Sequence, residues 1–147
     1  MQYNETMLKY FSVIHRRAMM YLDRELKPYQ IRAGQVPILR ILDRKDGISQ
    51  DKIKQLLHMD KGALAKTIKP LITEGYIVRE KTSHDLRVYS ITLTPKGRDI
   101  MPHLSAIIAD WISAITKGFS ETEKQQAYGI LSKMSGNAFD FFENIKS

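Results

Sequence analysis

From Tyr3 onward, Met7, Tyr10, Phe11, Ile14, Ala18, Tyr21 and Leu22 recur at steps of three and four residues. That spacing lines one face of an α-helix, so the pattern predicts a long first helix that stops before Pro28. Val36, Ile38, Leu39, Ile41 and Leu42 follow Gly34, with Pro37 where a first helical turn accepts proline, and they predict a second helix closed at Asp46-Gly47. Two short helices then obey one entry rule, a polar N-cap preceded by an apolar residue that packs against another five positions later. Ser49 lies between Ile48 and Ile53, and Asp60 between Met59 and Leu64. Helices over about 49–57 and 60–74 are therefore expected, joined by a tight turn through His58. In the second of them Leu64, Ile68, Leu71 and Ile72 form the buried face, and Lys61, Gly62, Ala65, Lys66 and Lys69 point elsewhere.

Beyond Gly75 the period changes from helical to alternating. YIVREK is followed by RVYSITL, in which Tyr89, Ile91 and Leu93 alternate with Val88, Ser90 and Thr92, as in a two-stranded antiparallel hairpin. Its tip is Thr82-Ser83-His84-Asp85-Leu86, with Arg79, Lys81 and Arg87 close by. Thr94 and Pro95 make an N-cap and first-turn pair. They open a helix striped by Ile100, Met101, Leu104, Ile107, Ile108, Trp111, Ile112 and Ile115, which Gly118 stops. Ser120-Glu121-Thr122-Glu123 is a capping box for a last helix carrying Ala127, Ile130, Leu131, Met134, Ala138, Phe141, Phe142 and Ile145.

Charge sharpens this outline because it is uneven. Residues 1–43 hold seven Lys/Arg against four Asp/Glu, residues 44–98 twelve against six, and residues 99–147 four against six. Nearly all of the net +7 therefore sits in residues 44–98, the stretch that contains the two short helices and the hairpin, the electrostatic footprint of a nucleic-acid-binding segment. A tight turn between two short helices is helix-turn-helix spacing, which delivers the start of the second helix to the major groove of duplex DNA. Lys61, Lys66 and Lys69 are placed to divide between phosphates and guanine acceptors, while Gly62, Ala63 and Ala65 permit close approach. A basic hairpin after such a helix can straddle the backbone and send an arginine into the minor groove. Arg87 is the candidate, with Asp85 two residues before it to fix the guanidinium fork; Arg79, Lys81, Ser83 and His84 complete the DNA-binding set.

Taken together, Gly47-Ile48-Ser49-Gln50, Asp60-Lys61, Glu74-Gly75-Tyr76-Ile77-Val78-Arg79, Asp85-Leu86-Arg87 and Leu93-Thr94-Pro95-Lys96-Gly97 resemble the MarR family of bacterial regulators over nearly the whole chain. The resemblance implies a mainly α fold with a small β-hairpin wing (α+β), a winged helix-turn-helix with N- and C-terminal dimerisation helices. In one domain spanning 1–147, the DNA-binding lobe would cover about 34–98, and 1–33 and 99–147 would dimerise. It further implies a homodimeric, ligand-responsive repressor on a pseudo-palindromic operator, released by a small aromatic or other anionic effector. Two departures stand out. Pro70 lies inside the recognition helix, where it removes a hydrogen bond to the Lys66 carbonyl and predicts a kink or a distorted last turn, and Leu86 stands where the family usually has a polar residue.

The apolar terminal helices support a dimer independently, since they carry more hydrophobic surface than a small winged lobe can cover; Phe11, Ile14, Phe139, Phe141 and Phe142 are the candidate interface residues. Other chemistry is thinly represented. Cysteine is absent, which removes disulfides, zinc-thiolate sites, thiol nucleophiles and the thiol-oxidation mechanism used by one branch of that family. His15, His58, His84 and His103 lack helical metal-site spacing apart from His103 with Asp99. No phosphate-binding glycine loop or nucleophile motif occurs, so the expectation is a non-enzyme with no cofactor and no metal. Met19, Met20 and Trp111 suit either an effector pocket or plain core, and no effector residue is assigned. With no long apolar run and no signal-like N-terminus, the expected setting is cytoplasmic, without a membrane partner. Two alternative functions remain open, a winged-helix protein-interaction module and an RNA- or small-ligand-binding protein without operator specificity.

Overall fold

The computed structural model of the protein describes residues 2–146; its described side chains run from Asn4 to Ile145, so that of Tyr3 lies outside them. The chain divides into two compact units, one ending at Trp111 and the other beginning at Ile112.

The first unit opens with α1 (Gln2–Leu26). Only its C-terminal part enters a core: Leu22 and Leu26 are buried, whereas Met7, Tyr10, Phe11 and Ile14 are exposed. Two short 3-10 turns, Lys27–Tyr29 and Ala33–Gln35, carry the chain past Pro28. The periodic pattern gave no sign of them. The second is pinned by side chains, since the Gln35 carboxamide accepts the Arg32 N–H at 2.8 Å and Asp23 accepts the Ala33 N–H at 2.8 Å. Next come α2 (Val36–Arg44), α3 (Gln50–Leu57) and α4 (Lys61–Thr73). Both predicted caps form: Ser49 Oγ accepts from Lys52 N at 3.1 Å, and Asp60 Oδ1 accepts from Ala63 N at 2.7 Å. The turn between α3 and α4 closes with His58 in the left-handed region at φ 51°. Leu64, Ile68 and Leu71 are buried as expected, but Ile72 is 37% exposed. It lies at the rim, because at 100° per residue it falls on the solvent side of Leu71.

Pro70 leaves α4 continuous to Thr73, and its carbonyl accepts the N–H of the C-cap residue Glu74 at 2.9 Å. Lys66 and Pro70 are both exposed, so the carbonyl that loses its partner faces water.

The sheet has three strands where the alternation predicted two. β2 (Ile77–Lys81) and β3 (Tyr89–Leu93) form the antiparallel hairpin. The two-residue β1 (Ile48–Ser49) pairs with the other edge of β3, Ile48 opposite Ile91 and Ser49 opposite Ser90, giving the order β1-β3-β2. Two residues carry no readable alternation, yet extended backbone is what an N-cap residue adopts, and here it satisfies the open edge of β3. The core lies between the inner face of this sheet, represented by Ile77, Ile91 and Leu93, and the helices, through Ile38, Leu39, Leu42, Ile53, Leu64 and Ile68.

α5 (Pro95–Ile115) begins in this unit, with Ile100, Met101 and Leu104 buried. It contains a second internal proline, Pro102. The second unit holds the end of α5, a turn with Gly118 at φ 87°, and α6 (Glu121–Lys146). The capping box at its start is complete: Ser120 N donates to Glu123 Oε2 at 2.7 Å and Glu123 N to Ser120 Oγ at 3.2 Å. Tyr128, Ile130, Leu131, Phe139, Phe141, Phe142 and Ile145 are exposed along α6.

Candidate nucleic-acid interface

The exposed side of α4 presents Lys61, Gly62, Ala65, Lys66 and Lys69, with Ala63 half-buried behind them. Helical geometry places these residues on one arc opposite Leu64, Ile68 and Leu71. Ile72, 37% exposed, is the large apolar side chain that borders this arc. Asp60 caps the helix at the same end, so the first turn is fixed where approach to a partner would occur.

The wing tip is organised by Thr82 and Asp85. Thr82 N donates to the Val88 carbonyl at 2.9 Å, Thr82 Oγ1 donates to the Asp85 carbonyl at 2.7 Å, and Asp85 N donates to Thr82 Oγ1 at 3.1 Å. Asp85 in turn accepts three bonds from Arg87: backbone N at 2.9 Å, Nε at 3.2 Å and Nη2 at 3.4 Å. The Arg87 backbone N–H first, and its guanidinium second, hold the Asp85 carboxyl below its ordinary range. Arg87 nonetheless keeps 91% of its side-chain surface open to solvent. The carboxylate thus orients the guanidinium without covering it. Ser83, His84 and Leu86 are exposed around the same tip; Leu86 bears no part of these bonds.

Between α3, the start of α4 and the wing lies an open cleft of about 210 Å³, lined by Gln50, Asp51, Lys54, Lys61, Leu64, Arg79, Arg87, Val88 and Tyr89. It brings together three of the residues expected from sequence, Lys61, Arg79 and Arg87. Lys66, Lys69, Lys81, Ser83 and His84 lie outside it. Gln50, Lys54 and Tyr89 were missed, although the register contains a signal for Tyr89: residues 77, 79 and 81 oppose 93, 91 and 89, so Arg79 and Tyr89 share the sheet face that carries Ile77, Ile91 and Leu93. Arg79 lies over the Tyr89 ring, 4.2 Å from its centroid. Of the four cations lining the cleft, Arg87 alone makes a salt bridge among the described residues.

The first turn of α5 fastens this assembly from behind. Thr94 Oγ1 donates to the Gly75 carbonyl at 2.5 Å and accepts the Gly97 N–H at 3.0 Å. Lys96 Nζ donates to the Glu74 carbonyl at 2.6 Å. Arg98 reaches Asp46 at 2.9 Å, and the same carboxylate accepts the Leu93 N–H at 2.8 Å.

A sequence profile of the MarR family matches residues 31–89, the stretch from just before the second 3-10 turn to the start of β3. The crystal structure of a MarR transcriptional regulator from Methanosarcina mazei Go1 is 31% identical and superposes with a TM-score of 0.86 over 93% of this chain and 92% of that one. The chain belongs to the MarR family. A further MarR-family structure, a regulator from Listeria monocytogenes complexed with a 26mer DNA, is 25% identical with a TM-score of 0.85, covering 95% of this chain and 93% of that one. Among curated proteins, the HTH-type transcriptional regulator BilQ of Clostridium symbiosum is 24% identical over 88% of this chain and 90% of its own. The MarR relatives are transcriptional regulators and not enzymes, and the winged helix-turn-helix fold expected from the motifs is the one this chain adopts.

The other residues singled out in the sequence have structural settings. Trp111 stacks on Tyr21 with ring centroids 5.6 Å apart, Met19 packs against the core and Met20 is exposed. His103 lies 5.9 Å from the Tyr29 ring, and among the described residues no cluster of three potential metal ligands occurs. No helix among them is long and apolar enough to cross a membrane.

Proposed function

We propose that the protein binds duplex DNA as a homodimer and represses transcription from a pseudo-palindromic operator in the cytoplasm, with affinity set by a small aromatic or anionic effector. The observation that supports the reading is the set of basic side chains exposed on α4 and the wing, three of which, Lys61, Arg79 and Arg87, line one cleft. Lys61, Lys66 and Lys69 meet phosphates and guanine edges, with Gly62, Ala63 and Ala65 allowing close approach in the major groove. Arg79, Lys81, Ser83, His84 and the Asp85–Arg87 fork engage the backbone and the adjacent minor groove.

The dimer reading is supported by apolar side chains exposed on α1, Phe11 and Ile14 among them, and, separately, on α6, Phe139, Phe141 and Phe142 among them, since exposed apolar patches mark interaction sites. Two recognition helices would then stand about 34 Å apart, one turn of DNA. Effector control requires only that a ligand prefer one of two lobe spacings.

The test is binding to duplex fragments from upstream of the protein's own gene, titrated over salt and against random-sequence competitor. A complex of two chains per site that resists competitor and weakens steeply with salt is the expected result. Binding no tighter than to competitor, or a preference for single-stranded RNA, would remove the operator-binding reading.

A further inference from the structure

On the inner face of the sheet, apolar side chains give way toward the wing to an aromatic–cation pair. Ile77, Ile91 and Leu93 are buried. The next same-face positions, Arg79 opposite Ile91 and Tyr89 opposite Lys81, are diagonal neighbours across the ladder, the separation that long side chains bridge. They do so with the Arg79 guanidinium carbon 4.2 Å from the centre of the Tyr89 ring. Tyr89 is half-buried and Arg79 exposed, so the ring is fixed by the sheet while the cation reaches the cleft. Arg79 makes no salt bridge among the described residues. A long side chain without a partner samples many rotamers, and each must be given up when it binds; lying on an aromatic face removes part of that freedom in advance and leaves the N–H donors free for an acceptor.

We infer that Tyr89 is a positioning residue for DNA binding: its ring holds Arg79 in the orientation that meets a backbone phosphate lying across the cleft between α3, the start of α4 and the wing. Lys54, Lys61 and Arg87 line the same cleft, with Asp51 the one acidic residue in its lining. The inference rests on the duplex-binding reading above and adds to it a residue that touches no DNA itself. It concerns phosphate, so it applies equally to random and operator sequence.

The test uses the full chain and a mixed-sequence 30-base-pair duplex at several salt concentrations, with Tyr89→Phe, Tyr89→Leu, Arg79→Ala and the Leu/Ala double variant. Tyr89→Phe keeps the ring and is expected to bind like the parent. Tyr89→Leu is expected to weaken binding about two- to fivefold, and to add nothing once Arg79 is alanine. Arg79→Ala lowers the salt slope by about one phosphate contact. Equal losses for Phe and Leu, no loss for Leu, or the same loss for Leu in both backgrounds would each overturn the inference. If Tyr89→Leu does not fold, the parent protein still decides: the Arg79 Nε–H proton resonance shows an upfield ring-current shift if the stack exists in solution, and its absence overturns the inference. Failure of the parent to bind the duplex with a steep salt dependence would instead overturn the duplex-binding reading itself.

Discussion

Gly97 occupies a position at which a methyl group has no room. A Cβ there would land on the Tyr76 carbonyl oxygen and come within 3.0 Å of Leu93 Cδ2, and backbone on that side leaves little to give. Gly97→Ala is expected to destabilise the fold by about 2 kcal/mol, read as a lower urea midpoint at unchanged slope; an unshifted midpoint would mean that α5 is free to move away. The wing offers a second residue-scale prediction. Arg87 lowers the Asp85 carboxyl below its ordinary 3.8, so what their bonds add to wing order is present in full above that value and is lost as pH falls through the lowered one. The Asp85 side-chain carbon resonance should therefore titrate below 3.8, and a midpoint at or above it would show the fork to be open in solution. Arg87→Ala should weaken DNA binding by about 1–3 kcal/mol without unfolding the protein, since most of its side chain is already solvated.

Among the elements, α4 depends on its cap for the placement of its first turn. Asp60→Ala removes the bond to Ala63 N and should cost about 1 kcal/mol of stability, with a loss of DNA affinity as Lys61 loses its fixed start; thermal melting and a binding titration separate the two. This element was legible in the sequence because the cap, its apolar staple and a three-to-four-residue stripe agreed. The Asp85–Arg87 fork was legible too, from spacing and charge alone. β1 was not, since two residues hold no period and its pairing depends on β3, forty residues away. The second 3-10 turn after α1 depends on contacts from Asp23 and Gln35 that periodicity does not register. Tyr89 was read as a strand residue and nothing more, because its role appears only when β2 supplies Arg79 on the same face. Ile72 shows the reverse error, a stripe extended one residue too far around the helix.

For the whole molecule, the prediction is assembly. Ile14→Glu combined with Phe141→Glu should turn a sedimenting dimer into a monomer whose winged lobe retains its far-ultraviolet dichroism, because both side chains are exposed and neither supports the core. A variant that still sediments as a dimer would place the interface elsewhere. The monomer should bind random duplex far more weakly, since half of the phosphate contacts are lost.

The first turn of α5 has a mechanical consequence. Thr94 and Lys96 join it to the end of α4, and Arg98 to Asp46 in the turn after α2, the carboxylate that also accepts from Leu93 of β3. The first turn of α5 is thereby riveted to the winged lobe, so that a rotation of this turn would carry α4 and the wing together. In the dimer proposed above, the angle between helix and wing would stay constant while the span between two heads changed, as the jaws of a caliper keep their shape when the gap is reset.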